Sequence, residues 1–205
     1  MGFFDDREVK KKEKRIQKYG KQFQSEDITK KLNAASELLN LGDRKGYPYI
    51  IKILDEGGTL SCFVTTYLGK LNIIDAIPHI DNALQKQELA GLAKSIIRDC
   101  KKYRHPDIIR ILLRFLERNP QGLETIYPNQ PAIGSVFTPT PAIITGEDAL
   151  KEAKKAIIEI TEKISNEYRN ELIKIFNEGL ENPNKRVYNI SNKCLEWINS
   201  EKSKK

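Results

Sequence analysis

Leu39-Asn40-Leu41-Gly42-Asp43-Arg44-Lys45-Gly46-Tyr47-Pro48 and Gly69-Lys70-Leu71-Asn72-Ile73-Ile74-Asp75-Ala76-Ile77-Pro78 align position by position, setting Pro48 and Pro78 thirty residues apart. A motif recurring every ~20–50 residues marks units too small to bury an apolar face alone, so stability comes from stacking neighbours in a row. Ile28, Leu32, Ala35, Leu38 and Leu39 precede the first copy at helical spacing, with Ser25 expected as N-cap and Glu26 and Asp27 at the positive end of the dipole. Beyond Gly42-Asp43 the spacing of Tyr47, Ile50, Ile51 and Leu54 predicts a partner helix over 46–55, closed by Gly57-Gly58.

The same grammar continues on both sides. Second and third helix pairs are expected at 59–71 with 75–85 and at 87–102 with 105–117, where Pro78 and Pro106 sit in first turns that have no use for their missing N–H. Thr145-Gly146-Glu147-Asp148 has the spacing of a capping box before 147–164. A partner at 167–179 and a last helix entered at Asn182-Pro183 complete the array, and residues 5–19 read as a polar, lysine-rich helix in front of it.

These residues resemble the HEAT-like repeat family, including its short-repeat branch of the phycobilisome-lyase type. The likeness is carried by Leu41-Gly42-Asp43 with Pro48 and Leu54, by Leu68-Gly69-Lys70 with Asp75, Ala76, Pro78 and Leu84, and by Asn182-Pro183, Arg186-Val187 and Cys194-Leu195. It spans about residues 25–117 and 147–200. Asn72 stands where the family has glycine, and the third pair lacks the glycine signature. The resemblance implies an all-α chain: a short right-handed α-solenoid of about four helix pairs plus a terminal capping helix. Function does not follow from such a fold. The expected organisation is a basic segment at 1–24, repeats one to three at 25–118, an insertion at 119–146, the fourth repeat and cap at 147–200, and a basic tail at 201–205.

The insertion is unlike the rest. Leu54, Leu84, Leu116 and Leu180 end equivalent helices in steps of 30, 32 and 64 residues, so 119–146 adds about one repeat length. It holds five prolines and one charged side chain, Glu124, yet is too apolar for a solvated tether. Two β-prone runs, 132–137 and 142–145, are expected to pair across Thr138-Pro139-Thr140-Pro141. Tyr127, Ile133, Val136, Phe137 and Ile143 are its candidate contacts for a protein partner.

The net charge of +7 over 205 residues is segregated: residues 7–21 carry +6, residues 98–118 carry +4 and residues 201–205 carry +2. Two anion-binding candidates follow. Lys11, Lys14, Arg15 and Lys18 lie in the first segment. Arg110, Arg114 and Arg118, at i, i+4 and i+8, would line one helix face over roughly 12 Å. The competing reading is that Asp107, Glu117 and neighbouring helices neutralise that stripe.

Catalytic and metal chemistry find little footing. Cys62, Cys100 and Cys194 stand singly in helical patterns and read as small core hydrophobes, and with only His79 and His105 the soft ligands are too scattered for zinc. His105, before Pro106, reads as a helix-entry residue; Trp197 reads as packing. No metal, cofactor or membrane span is expected, and the N-terminus lacks the apolar core of a signal peptide, which points to the cytoplasm. The expected function is a non-enzymatic protein-binding scaffold or adaptor using the groove and the insertion. The alternative is nucleic-acid binding, since one group of bacterial alkylpurine DNA glycosylases shares the HEAT-like architecture, and a bilin lyase or chaperone rests on repeat resemblance alone.

Overall fold

The computed structural model of the chain describes residues 3–86, 90–118, 124–127 and 142–202. Helix dominates them. In chain order they form α1 (Phe3–Gln22), α2 (Ile28–Asn40), α3 (Tyr47–Glu56), α4 (Thr59–Lys70), α5 (Ile77–Lys86), α6 (Ala90–Cys100), α7 (Pro106–Glu117), β1 (Glu124–Tyr127), β2 (Ala142–Thr145), α8 (Gly146–Leu180) and α9 (Lys185–Lys202). Among the described residues no helix is long and apolar enough to cross a membrane.

The two aligned stretches fold alike down to single hydrogen bonds. After α2 the Asp43 N–H donates back to the Leu38 carbonyl, and after α4 the Ile73 N–H donates to the Leu68 carbonyl. Each bond spans five residues and closes a left-handed turn of the Schellman kind. Gly42 takes that turn at φ 81° and Asn72 at φ 51°. Asparagine is among the few side chains that tolerate this region, and here it also reaches outward: the Asn72 side-chain oxygen accepts from the Arg104 N–H at 3.1 Å, one helix pair further on. A short 3-10 turn follows in both copies, Arg44–Gly46 and Ile74–Ala76. Gly46 is required by proximity, because a Cβ there would sit 2.6 Å from the Ala35 Cα.

Packing joins helices two apart in sequence as well as neighbours. Helix α4 packs on α6 and α6 on α8; α3 packs on α5 and α5 on α7; α2 meets α3, α3 meets α4, and α9 closes on α8. One continuous apolar core runs between them through Leu39, Leu54, Leu68, Leu84, Ile97, Leu116, Ile157 and Phe176. Polar bridges recur at the same interval. Thr66 donates to the buried Asp99 at 2.5 Å, Arg44 pairs with Asp75 at 2.7 Å, and Arg114 with Asp81 at 2.6 Å. Between α6 and α8, Lys101 reaches Glu152 at 2.5 Å and Glu159 at 3.4 Å with its own side chain only 13 % exposed.

Several expectations need correction. The α2 cap is Asp27, whose carboxylate accepts from Lys30 N–H, while Ser25 accepts from Asp27 N–H one step earlier. The fourth pair is the two halves of α8, which meet at a kink at Tyr168 (φ −116°, ψ 24°), a few residues past the expected break between 164 and 167. Helix α8 ends at Leu180, not Gly179. Gly179 serves packing, since a Cβ there would overlap Ser191 Oγ on α9. Helix α9 is capped by Asn184, which accepts from Arg186 N–H at 2.9 Å. The strand at 142–145 is present, but its antiparallel partner is 124–127, pairing Glu124 with Thr145 and Tyr127 with Ala142. Thr125-Ile126-Tyr127 is a β-forming run free of internal proline, which suits it to a ladder; the expected run 132–137 lies outside the described residues. The hairpin rests on α6. The capping box does form, with Asp148 accepting from Thr145 N–H at 2.9 Å, and that backbone bond lowers the Asp148 carboxyl pKa.

Candidate interaction face

Helices α3, α5, α7 and the second half of α8 present a continuous row of polar side chains to one side. Each comes from a helix whose apolar residues point the other way. In α7, Ile108, Ile109, Ile111, Leu112, Phe115 and Leu116 are all buried, so the remaining positions Arg110, Arg114 and Glu117 must face outward. His105 opens this helix as its N-cap, accepting from Asp107 N–H at 3.3 Å.

The row is ionically matched from one helix to the next. Lys52 pairs with Glu56 at 3.7 Å on α3. Asp55 lies 3.0 Å from His79 Nδ1 through both oxygens and accepts from Asn82 at 3.2 Å, tying α3 to α5. Burial alone would raise the Asp55 carboxyl, but the hydrogen bonds from His79 and Asn82, with the charges of His79 and Lys86, outweigh it and hold the pKa below its ordinary value. Asp81 accepts from Gln85 at 3.3 Å and Arg114 at 2.6 Å, tying α5 to α7. Arg110 meets Glu178 at 3.1 Å, Asp107 at 3.5 Å and Glu171 at 3.9 Å, tying α7 to α8.

The three candidate arginines of α7 are therefore all engaged. Arg110 faces three carboxylates, Arg114 one, and Arg118 donates to the Leu84 carbonyl at 3.0 Å. Their spacing on one face is as expected; their charge is spent on neighbours. The α1 candidates behave differently. Lys11, Lys14 and Lys18 are exposed, and only Arg15 pairs with α2, reaching Glu37 at 3.3 Å. Of the insertion candidates, Tyr127 ends β1 opposite Ala142 and Ile143 lies in β2 opposite Ile126. Ile133, Val136 and Phe137 lie outside the described residues.

Where α7, α8 and α9 meet, the row dips into a hollow of about 180 Å³. Its floor is Leu113, Ile175 and Val187, and its rim carries Arg110, Arg114, Glu117, Glu178 and Asn182. That volume falls below the ~300–1,000 Å³ of small-molecule pockets. Asn182 donates to Glu117 at 2.5 Å across the rim. A second hollow of about 200 Å³ lies between α8 and α9, walled by Ile158, Cys194 and Trp197. Trp197 lines it and packs on the core.

Chemistry-bearing groups elsewhere are quiet. Burial pushes the thiol of Cys62 up to about 11, of Cys100 to about 12 and of Cys194 to about 11, so none carries appreciable thiolate near neutrality. Among the described residues no three His, Cys, Asp or Glu side chains converge as a metal site requires. The sequence offered His79 only as one of two histidines too scattered for a zinc site. Its partner is a carboxylate 24 positions earlier, and the available signal was the thirty-residue register that stacks α5 on α3.

No family model, no curated protein and no solved structure matches this chain.

Proposed function

We propose that the chain is a protein-binding scaffold: a short right-handed α-solenoid of about four HEAT-like helix pairs with α9 as its cap, working in the cytoplasm and without turnover. The row on α3, α5, α7 and the second half of α8 is its partner surface, and the insertion is a second contact segment. The observation that carries this reading is the shallow hollow with an apolar floor and a rim of both charges. A depression of that size admits a side chain of a partner rather than a substrate, and alternating charge around it selects a complementary protein surface. The helix pairing supports the architecture, because polar bridges recur about thirty residues apart from Arg44–Asp75 to Arg114–Asp81. Three unpaired cysteines suit a reducing compartment.

Affinity capture from native lysate tests the reading with three baits: the intact chain, a face variant carrying Arg114→Glu and Glu178→Lys, and a chain whose residues 121–144 are replaced by a short linker. A discrete protein retained by the intact chain and lost by the face variant is the expected result. Equal recovery on the face variant would remove that face as the binding surface, and loss on the linker bait alone would assign the partner to the insertion.

A further inference from the structure

Helix α1 holds six of its eight cations on one side, with Lys12 and Arg15 outside it. At ~100° per residue, Arg7, Lys10, Lys11, Lys14, Lys18 and Lys21 fall within about 100° of the circumference, and all six are exposed. Ile16 and Tyr19, half-buried, lie on the opposite side, in line with Phe23 just past the helix end. Phe23 in turn meets Tyr49 of α3 edge to face at 5.8 Å, and α1 packs on α2. Glu8 and Glu13 lie outside the cationic arc. Among the described residues none of the six is paired with a carboxylate; the ion pair from α1 is made by Arg15, at the margin of the arc, to Glu37. The result is a straight rod of six charges about 21 Å long, fixed to the body by its other face.

We infer that this face binds the phosphate backbone of a nucleic-acid duplex. Duplex DNA carries one charge per ~1.7 Å of axis, so a rod of this length finds several phosphates within reach without bending either partner. Five of the six cations are lysines, and ammonium groups act as point charges on phosphate with no base readout. Between Arg7 and Lys21 no aromatic ring lies in the arc, so that stretch offers single strands no stacking platform. The apolar side of the helix faces the protein, which leaves little to enter an acyl boundary as a membrane-surface helix does. The surface is separate from the matched row on α3, α5 and α7.

Fluorescence anisotropy with the full chain and a labelled duplex of roughly 20 base pairs, titrated from about 50 to 300 mM salt, tests the inference. Neutralising five or six phosphates predicts a slope of log K against log salt of about −5, and Lys14→Gln, Lys18→Gln and Lys21→Gln together cut it by about 3 with a tenfold or greater loss of affinity. Replacing the same three by arginine retains binding, and Arg114→Ala leaves both slope and affinity unchanged. Circular dichroism of each variant confirms that the helices persist. No binding at the lowest salt, a slope indifferent to the glutamine variant, or tighter binding to the matching single strand or to phosphatidylserine vesicles would each overturn the proposal.

Discussion

Helices α1 and α7 both carry arginine or lysine at helical intervals, and the molecule treats them in opposite ways. On α7 each cation finds an acceptor supplied by the helix before or after it: Asp81 from α5 for Arg114, Glu171 and Glu178 from α8 for Arg110. Helix α1 packs on α2, with Phe23 just past its end meeting Tyr49 of α3, and among the described residues no carboxylate answers its six outward cations. Periodicity therefore reports which residues share a face. Whether that face is spent internally or offered to a partner depends on what stacks against it, and position in the array decides that.

The sharpest way to break the comparison is through the apolar sides. Leu112 is fully buried between α7 and its neighbours, whereas Ile16 of α1 is half-exposed. Leu112→Ala is expected to cost about 2–5 kcal/mol by the cavity it leaves. Ile16→Ala should cost no more than about 1 kcal/mol, in proportion to the smaller area it covers. Urea unfolding of the two variants checks the difference; equal losses would show that α1 is as deeply anchored as α7. A middle-sized effect is expected from Arg110→Ala, which strands Glu171 and Glu178 on α8. Its guanidinium is 32 % exposed, so solvent screening holds the loss to about 1 kcal/mol, read as a fall in Tm of about 2–4 °C for a chain of this length.

Much of the fold was legible because its signals are local. Pro78 and Pro106 lie in first helical turns, Thr145 and Asp148 form their box, and Asn72 adopts the left-handed turn that its alignment with Gly42 requires. What failed also has local causes. The Asp27 cap is displaced two residues from Ser25 because both side chains are competent and tertiary context chose between them. The hairpin partner was misplaced because a two-stranded ladder leaves little periodicity, and a strand can pair across a long connection as well as a short one. The matched row was half-visible: the steps between Leu54, Leu84, Leu116 and Leu180 bring Lys52, Asn82, Arg114 and Glu178 into line, but Glu178 pairs with Arg110, one turn away, and Arg114 with Asp81, one position from Asn82.

Titration separates the two faces again. The Asp55 carboxyl is held below its ordinary value by His79 and Asn82, so its folded pKa lies under the unfolded value of about 3.9. A depressed carboxylate contributes stability that is present above the unfolded pKa and lost as pH falls through the folded one. Intact protein should therefore be more stable than Asp55→Asn at pH 6 and the gap should close below about pH 4. Denaturant midpoints at both pH values check this, and a gap that persists in acid would mean that the substitution acts through packing rather than charge.

The smallest effect expected is the most diagnostic for α1. Lys18 reaches the ring of its neighbour Tyr19, with its ammonium 5.5 Å from the centroid. An exposed lysine that holds no carboxylate supports the fold by no more than about 0.5 kcal/mol in either direction. Lys18→Ala should accordingly leave the urea midpoint unmoved, and added salt should not penalise the intact chain, since six like charges along one face repel one another and screening relieves that repulsion. If Lys18→Ala were clearly destabilising, the stripe would have a structural duty and its cations would be accounted for as those of α7 are. An unmoved midpoint would leave the charge on this face without a structural use, in contrast to the arginines of α7, whose partners lie within the fold.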